Sequence, residues 1–162
     1  MSGGDGRSRP LALVVAVVVL VADQVTKAVV DHTMVRGETI ALLPFCALTY
    51  VRNTGAAFGL FAAVPAALRI PVLLAVTAVA LVALVSFLRQ TPADRSWVVG
   101  ALGAVLGGAA GNLVCRLRYG EVIDFVDLHW GDLHWPAFNV ADSAITVGVA
   151  IVLLAAVQDR PA

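Results

Sequence analysis

The sequence predicts an all-α membrane protein of four transmembrane helices with a small extracytoplasmic β-sheet element. Three observations support this class. Of the 162 residues, 60 % are hydrophobic and only 14 % are charged, whereas soluble domains average about 45–50 % apolar and about 25 % charged residues. Four apolar segments are each long enough to cross a bilayer core, which takes about 20 helical residues. Two long connections between them contain runs of β-forming residues.

The four spans are predicted at residues 10–30, 66–88, 97–117 and 138–157. The first span follows two arginines and resembles a signal sequence that could be cut after Ala22. Hydrophobicity resumes at Val25, however, so we interpret this span as an uncleaved membrane helix. The whole chain, residues 1–162, is short enough to form a single membrane domain.

The connections between the spans indicate the topology. An even number of spans places both termini and the short loop 89–96 on one side of the membrane. Arginines in short flanks mark the cytoplasmic side; this side carries Arg7, Arg9, Arg89, Arg95 and Arg160, although the long connections also hold Arg36, Arg52 and Arg118. We therefore expect cytoplasmic termini and two outer segments, 31–65 and 118–137. Within those segments, residues 46–52 and 122–128 predict two short strands.

Charge and cysteine content narrow the possible functions. The chain has 11 basic and 11 acidic residues, so its net charge is zero. It contains no basic run that could hold a nucleic-acid backbone, so we expect no nucleic-acid partner. The two cysteines, Cys46 and Cys115, lie in different settings and are expected to be free thiols.

Polar residues inside the spans require an explanation because lipid does not solvate them. Asp23 and Lys27 are four residues apart, which is the spacing of an intrahelical ion pair. Such a pair could ease insertion, with Lys27 reaching outward to the interface, or it could belong to a site. In the third span, a stripe of small residues predicts close helix packing, at Gly103, Gly107 and Gly111.

A second stripe in the third span, at Gly108, Asn112 and Arg116, ends in an amide and a guanidinium. These groups could bond neighbouring helices or donate hydrogen bonds to a bound peptide or carboxylate. Both interpretations are open on spacing alone.

Two aspartates at the outer rim form the best candidate for catalysis. Asn139 is a predicted N-cap of the fourth span, and Asp142 would then occupy the third helical position, where the helix dipole favours an acid. Asp142 is thus either a capping acid or a site residue. Asp124 lies in an apolar strand-like run, at a strand edge or in a site. Two adjacent carboxylates that share a proton can activate water and protonate a leaving group.

Other groupings are weaker. Asp127, His129, Asp132 and His134 could be imagined as metal ligands, but their spacing matches no standard zinc pattern. A Ser143–Lys27 nucleophile pair has nothing nearby to activate the serine. We expect no metal and no cofactor.

Several short motifs of this sequence resemble those of lipoprotein signal peptidase, or signal peptidase II, which is an aspartyl endopeptidase family. The resemblance covers nearly the whole chain. Five motifs occur in order on four spans of suitable length, a combination that is highly specific. They are residues 23–27 (DQVTK), 53–59 (NTGAAFG), 107–113 (GGAAGNL) with Arg116, 120–125 (GEVIDF) and 138–144 (FNVADSA).

The resemblance implies an enzyme of the bacterial inner membrane that cleaves prolipoproteins just before a cysteine carrying diacylglycerol. Asp124 and Asp142 fall on the catalytic pair. The implied substrate-binding residues are Asn53, Gly55, Asn112, Arg116 and Asn139, and the implied structural supports are Asp23, Lys27 and Gly108.

The expected partners are the prolipoprotein, membrane lipid and an inhibitor of the globomycin type, and we expect a monomer. The outer segments could close over the substrate as a lid. One departure stands out, because the family commonly has Asp-Arg where this chain has Cys115-Arg116. It puts in doubt a supporting contact that could steady Arg116.

Two other classes of function are alternatives to a peptidase. A small four-helix transporter or proton relay would have its acidic residues distributed across the thickness of the membrane, whereas Asp124 and Asp142 should lie at one rim. A structural scaffold would explain the glycine stripe but would leave both rim acids without a purpose.

Overall fold

The computed structural model describes residues 5–55 and 64–158, and within this part it contains four long helices. They are α1 (Asp5–Thr33), α2 (Ala66–Gln90), α3 (Ser96–Tyr119) and α4 (Val140–Gln158). All four are long and apolar enough to cross a membrane. The predicted membrane fold class is confirmed.

Helix α3 lies at the centre of the bundle because its small residues admit neighbouring backbones. A Cβ atom added to Gly103 would lie 2.5 Å from the carbonyl oxygen of Ala12, and Gly107 meets Ala16 of α1 in the same way. On another side, a Cβ atom at Gly108 would lie 2.5 Å from the carbonyl oxygen of Ala141 in α4. The stripe predicted to pack does so, against α1.

A four-stranded antiparallel sheet lies at one end of the bundle. Its order is β1 (Thr39–Leu43), β2 (Cys46–Asn53), β3 (Val122–Trp130), β4 (Leu133–His134). The two predicted strands coincide with the central strands β2 and β3. The edge strands β1 and β4 were not predicted, and both are exposed along their length, so no buried face marks them in the sequence.

The inner face of the sheet packs on the end of α1. Ile123 and Phe125 of β3 and Tyr50 of β2 form a buried cluster with Val30 and Met34 at the end of that helix. This contact fixes the height of β3 against the bundle. It therefore also fixes the residue between Ile123 and Phe125, which is Asp124.

The fourth helix begins at Val140, as the predicted N-cap at Asn139 requires, and so starts two residues inside the predicted span 138–157. Phe138 does not join the helix, because it exchanges backbone hydrogen bonds with Val126 of 2.8 and 3.1 Å. Asn139 then precedes the first helical residue, Val140. Residues 56–63 lie outside the described residues, and with them the end of the motif 53–59 and that part of the suggested lid.

Candidate active site

The two predicted aspartates lie where β3 meets the start of α4. Asp124 is almost completely buried in β3, and Asp142 lies in the first turn of α4. Both line one cavity of about 900 Å³. Apolar side chains of α2, α3 and α4 form much of its wall, including Val76, Leu84, Val105, Ile145 and Val147.

Strand alternation explains why Asp124 faces this cavity. Successive side chains of a strand point to opposite faces. Ile123 and Phe125 enter the hydrophobic cluster on α1, so Asp124 points to the other side. Two amides hold it there: Asn53 donates to its Oδ2 at 3.0 Å, and Asn139 donates to its Oδ1 at 2.6 Å.

Asp142 is positioned by a reciprocal capping arrangement. The Asn139 side chain accepts a hydrogen bond from the Asp142 backbone N–H at 3.0 Å, and Asp142 Oδ2 accepts from the Asn139 backbone N–H at 3.2 Å. This is a capping box, with asparagine at the N-cap. The other carboxylate oxygen accepts from Asn112 Nδ2 at 2.8 Å. Asp142 is thus a capping acid and a cavity residue at once.

One amide connects the two acids. The Asn139 side chain is fully buried. Its nitrogen donates to Asp124, while its oxygen accepts from the backbone of Asp142. The positions of the two carboxylates are therefore coupled through Asn139.

Asp23 and Lys27 form a buried ion pair on α1 that contacts the residues holding Asp142. Lys27 Nζ lies 2.8 Å from Asp23 Oδ2, and the two side chains are 2 % and 0 % exposed. Lys27 also donates to Asn112 Oδ1 at 2.8 Å, and Asp23 Oδ1 accepts from the Ala141 backbone N–H at 3.0 Å. Of the two interpretations that the spacing left open, the one in which Lys27 reaches outward is wrong, because polar partners on α3 and α4 satisfy the pair internally.

Arg116 and Gly55 lie on the β2 side of the site. Gly55 donates its N–H to Asn53 Oδ1 at 2.9 Å, and its carbonyl oxygen accepts from Arg116 Nη2 at 3.4 Å. Asn53 and Arg116 both line the cavity. The neighbouring Cys115 is buried, and its Sγ lies 4.0 Å from Gln24 Nε2 of α1. Position 115, where the resemblance of the motifs leads us to expect an aspartate, therefore faces α1.

Burial and charge act together on Asp124. Burial raises the pKa of Asp124 to about 6, and the negative charge of Asp142 acts in the same direction. The hydrogen bonds from Asn53 and Asn139 and the charge of Lys27 oppose this rise in the pKa without cancelling it. A pair of this kind can hold one proton and one negative charge, which is the requirement for acid–base activation of water.

Sequence reasoning missed several supporting residues. Gln24 donates to Asp23 Oδ2 at 3.0 Å and to the Gly111 carbonyl oxygen at 3.1 Å, joining α1 to α3. Its polarity within a span was an available signal. A second missed group ties β2 to α1, where Arg52 pairs with Asp31 at 2.5 Å and Tyr50 donates to the same carboxylate. No pattern in the sequence links these three residues.

The chain is similar to a known family of membrane peptidases over nearly its whole length. A family model described as signal peptidase (SPase) II matches residues 15–158. The lipoprotein signal peptidase of Syntrophotalea carbinolica is 47 % identical over 150 residues, which cover 92 % of each chain. That of Geobacter metallireducens is 44 % identical over 148 residues, covering 91 % of this chain and 90 % of the relative.

A solved structure has the same fold. It is described as a bacterial membrane enzyme determined by the in meso method at 2.3 Å resolution, and it superposes with a TM-score of 0.81 at 33 % identity. The match covers 91 % of this chain and 88 % of that one.

Proposed function

The chain belongs to the signal peptidase II family, and from that premise we propose that Asp124 and Asp142 form its catalytic pair. As a member of this family it is a peptidase of a bacterial membrane that removes signal peptides from prolipoproteins. The aspartic mechanism, and cleavage just before the lipidated cysteine, are the further content of the proposal. The observation that carries it is the linkage of both carboxylates through Asn139 at the wall of one cavity.

In the proposed mechanism the two acids take different roles. The helix dipole favours a negative charge on Asp142 in the first turn of α4, and a pKa of about 6 favours a proton on Asp124. Asp142 accepts a proton from water, which attacks the scissile carbonyl carbon. Asp124 polarises the carbonyl oxygen by donating its proton. The C–N bond of the resulting gem-diol then breaks as the proton on Asp142 passes to the leaving amine, and one hydroxyl of the gem-diol returns a proton to Asp124 as the carbonyl re-forms.

The cavity supports a substrate with an apolar anchor. Its wall is mostly apolar, and its polar groups cluster at the aspartates. We assign peptide binding to Asn53, Asn112 and Arg116, which line the cavity with amides and a guanidinium. Gly55 and Asn139, which the resemblance also assigned to substrate binding, act through other residues: Gly55 holds Asn53 and Arg116, and the fully buried Asn139 positions the two acids. Asp23, Lys27 and Gly108 support the site without touching substrate. A globomycin-type cyclic peptide would occupy the same cavity in a monomeric enzyme.

The proposed orientation places the site on the outer face. The sheet and both aspartates lie at the end of the bundle that carries the two long connections. With the short loop between α2 and α3 and both termini in the cytoplasm, this end faces outward. Water, lipid and the peptide then meet at one rim.

The test is cleavage of a diacylglyceryl-modified prolipoprotein by the purified chain in detergent. We expect Asp124→Asn and Asp142→Asn to remain folded and to lose at least about a thousandfold in rate, because each removes a group that transfers a proton. Asp132→Asn, at an exposed acid of the β3–β4 turn, is the matched control and should cleave normally. Substantial activity in either dyad variant would refute the assignment.

A further inference from the structure

The hairpin of β3 and β4 carries a cluster of side chains that the peptidase mechanism does not use. Asp127 and His129 are two residues apart on β3, so they share one face of the strand. His129 is the direct cross-strand partner of His134 on β4. Directly opposed residues of an antiparallel pair point to the same side. The hairpin thus places all three on one face.

The distances within the cluster are short. His134 Nδ1 lies 2.9 and 3.0 Å from the two carboxylate oxygens of Asp127. His129 Nδ1 lies 4.0 Å from Asp127 Oδ2, and the two imidazole rings stack with centroids 5.0 Å apart. One ligand atom from each residue falls within 4.8 Å of the others. Ligand atoms around a tetrahedral zinc ion, at bond lengths of about 2.0–2.1 Å, are about 3.4 Å apart.

His129 gives an independent indication of a missing partner. Its Nδ1 atom is buried yet makes no hydrogen bond. Buried polar atoms are normally satisfied, and this nitrogen lies beside a carboxylate and a second imidazole. The exposures also suit an ion arriving from water, since the side chain of His134 is 54 % exposed while those of His129 and Asp127 are 19 % and 13 % exposed.

We infer that Asp127, His129 and His134 form a binding site for a divalent transition-metal ion of the zinc type. Two neutral imidazoles and one carboxylate are a donor set that zinc accepts, with a water molecule in the fourth position. Binding replaces the hydrogen bond between His134 Nδ1 and Asp127, any proton on that nitrogen moving to Nε2 or to water, and it gives His129 Nδ1 its partner. The sequence grouped these three residues with Asp132 but gave no standard zinc spacing, because His134 comes from the adjacent strand and is brought in by the hairpin.

The site would act on the hairpin rather than on the reaction. Asp124 faces the catalytic cavity, whereas Asp127 and His129 lie on the other face of β3, by strand alternation. A metal ion would cross-link β3 to the two-residue strand β4, which pairs with it at His129–His134 and Trp130–Leu133 and is followed by one hydrogen bond of 2.8 Å from the Trp135 N–H to the Leu128 carbonyl oxygen. Its expected effect is to rigidify the hairpin that continues from the strand of Asp124.

The test uses the full chain, purified in detergent without a polyhistidine tag and stripped with a chelator. Zinc is titrated against a chromogenic competitor, and cobalt is titrated as an absorbing probe of coordination geometry. We expect one equivalent of zinc to bind and a tetrahedral cobalt spectrum to appear. His129→Ala, His134→Ala and Asp127→Asn should each weaken binding at least about tenfold.

His32→Ala is the matched control. His32 is the one histidine of the chain outside the cluster, and it is exposed on α1. It should bind zinc like the wild type. The peptidase rate of each variant shows whether it is folded. Absence of stoichiometric binding by the wild type, or equal binding in the His129→Ala and wild-type proteins, would overturn the site.

Discussion

Helices α2 and α3 are nearly equal in length, with 25 and 24 residues, but the bundle uses them differently. Within their apolar windows, 61 % of α3 is buried and only 6 % of α2. Helix α3 touches both α1 and α4 through glycines and carries Asn112 into the polar network. Helix α2 contributes Val76, Thr77, Ala80 and Leu84 to the wall of the cavity.

The difference shows that hydrophobicity and packing are separate properties in a membrane. Lipid is as apolar as valine or leucine, so burying those residues against another helix gains little. Small residues and polar partners hold helices together instead. The helix that has both, α3, supports the proposed catalytic pair, and the helix that lacks them, α2, forms a wall of the open cavity.

The largest effect on stability should come from breaking the buried ion pair between Asp23 and Lys27 of α1. Lys27→Met leaves the charge of Asp23 buried and unpaired, which should lower the free energy of unfolding by about 3–5 kcal/mol. The double variant Asp23→Asn with Lys27→Met removes both charges and should recover part of this loss. Denaturant titration in detergent measures both. If the two proteins were equally stable, the pair would not be the cause.

Two glycines of α3 provide a matched comparison. Gly108→Ala places a methyl group against the Ala141 carbonyl oxygen and Ile145, so overpacking should cost about 1–3 kcal/mol of unfolding free energy. The displacement of α4 should also lower the cleavage rate. Gly100→Ala meets nothing within 4 Å and should be neutral or stabilising by up to about 1 kcal/mol. Equal effects at both positions would contradict close packing at Gly108.

The effect of burial on stability can be compared between α3 and α2 by shortening one valine on each helix. Val99 of α3 is 0 % exposed and Val79 of α2 is 70 % exposed. Val99→Ala should lower the free energy of unfolding by about 1–2 kcal/mol, because the cavity it leaves inside the bundle loses packing contacts. Val79→Ala should change it by less than about 0.5 kcal/mol. A larger loss at Val79 would indicate that a partner covers α2.

The smallest expected effect is a displacement of the pH profile. Because the pKa of Asp124 is raised to about 6, its proton is present below that pH and lost above it, so kcat/KM should fall as pH rises through about 6. The hydrogen bond from Asn53 lowers this pKa, so Asn53→Ala should move the falling limb to higher pH. Thr54→Ala, in the same turn, serves as the control. A limb that moved to lower pH would assign the proton elsewhere.

Prediction from the sequence succeeded where a local pattern carries the information. The four spans follow from runs of apolar residues, β2 and β3 from β-forming runs, and the Asn139–Asp142 cap from spacing within one helical turn. It failed where the cause lies in a distant segment. Spacing alone could not decide whether Lys27 reaches the interface or faces inward, because its partner Asn112 is 85 residues away. No local pattern showed that Phe138, included in the predicted span, pairs with β3 instead.

The sequence by itself determined that this chain is a membrane protein and that it has four segments long enough to cross the bilayer. Its five ordered motifs also determined its family. These properties depend on hydrophobic length and on residue types at short spacing. Only the tertiary structure decided that Asn139 joins Asp124 to Asp142, that Asp23 and Lys27 are buried behind them, and that three hairpin residues converge on one face. Those contacts form between segments far apart in the chain, and packing alone brings such segments together.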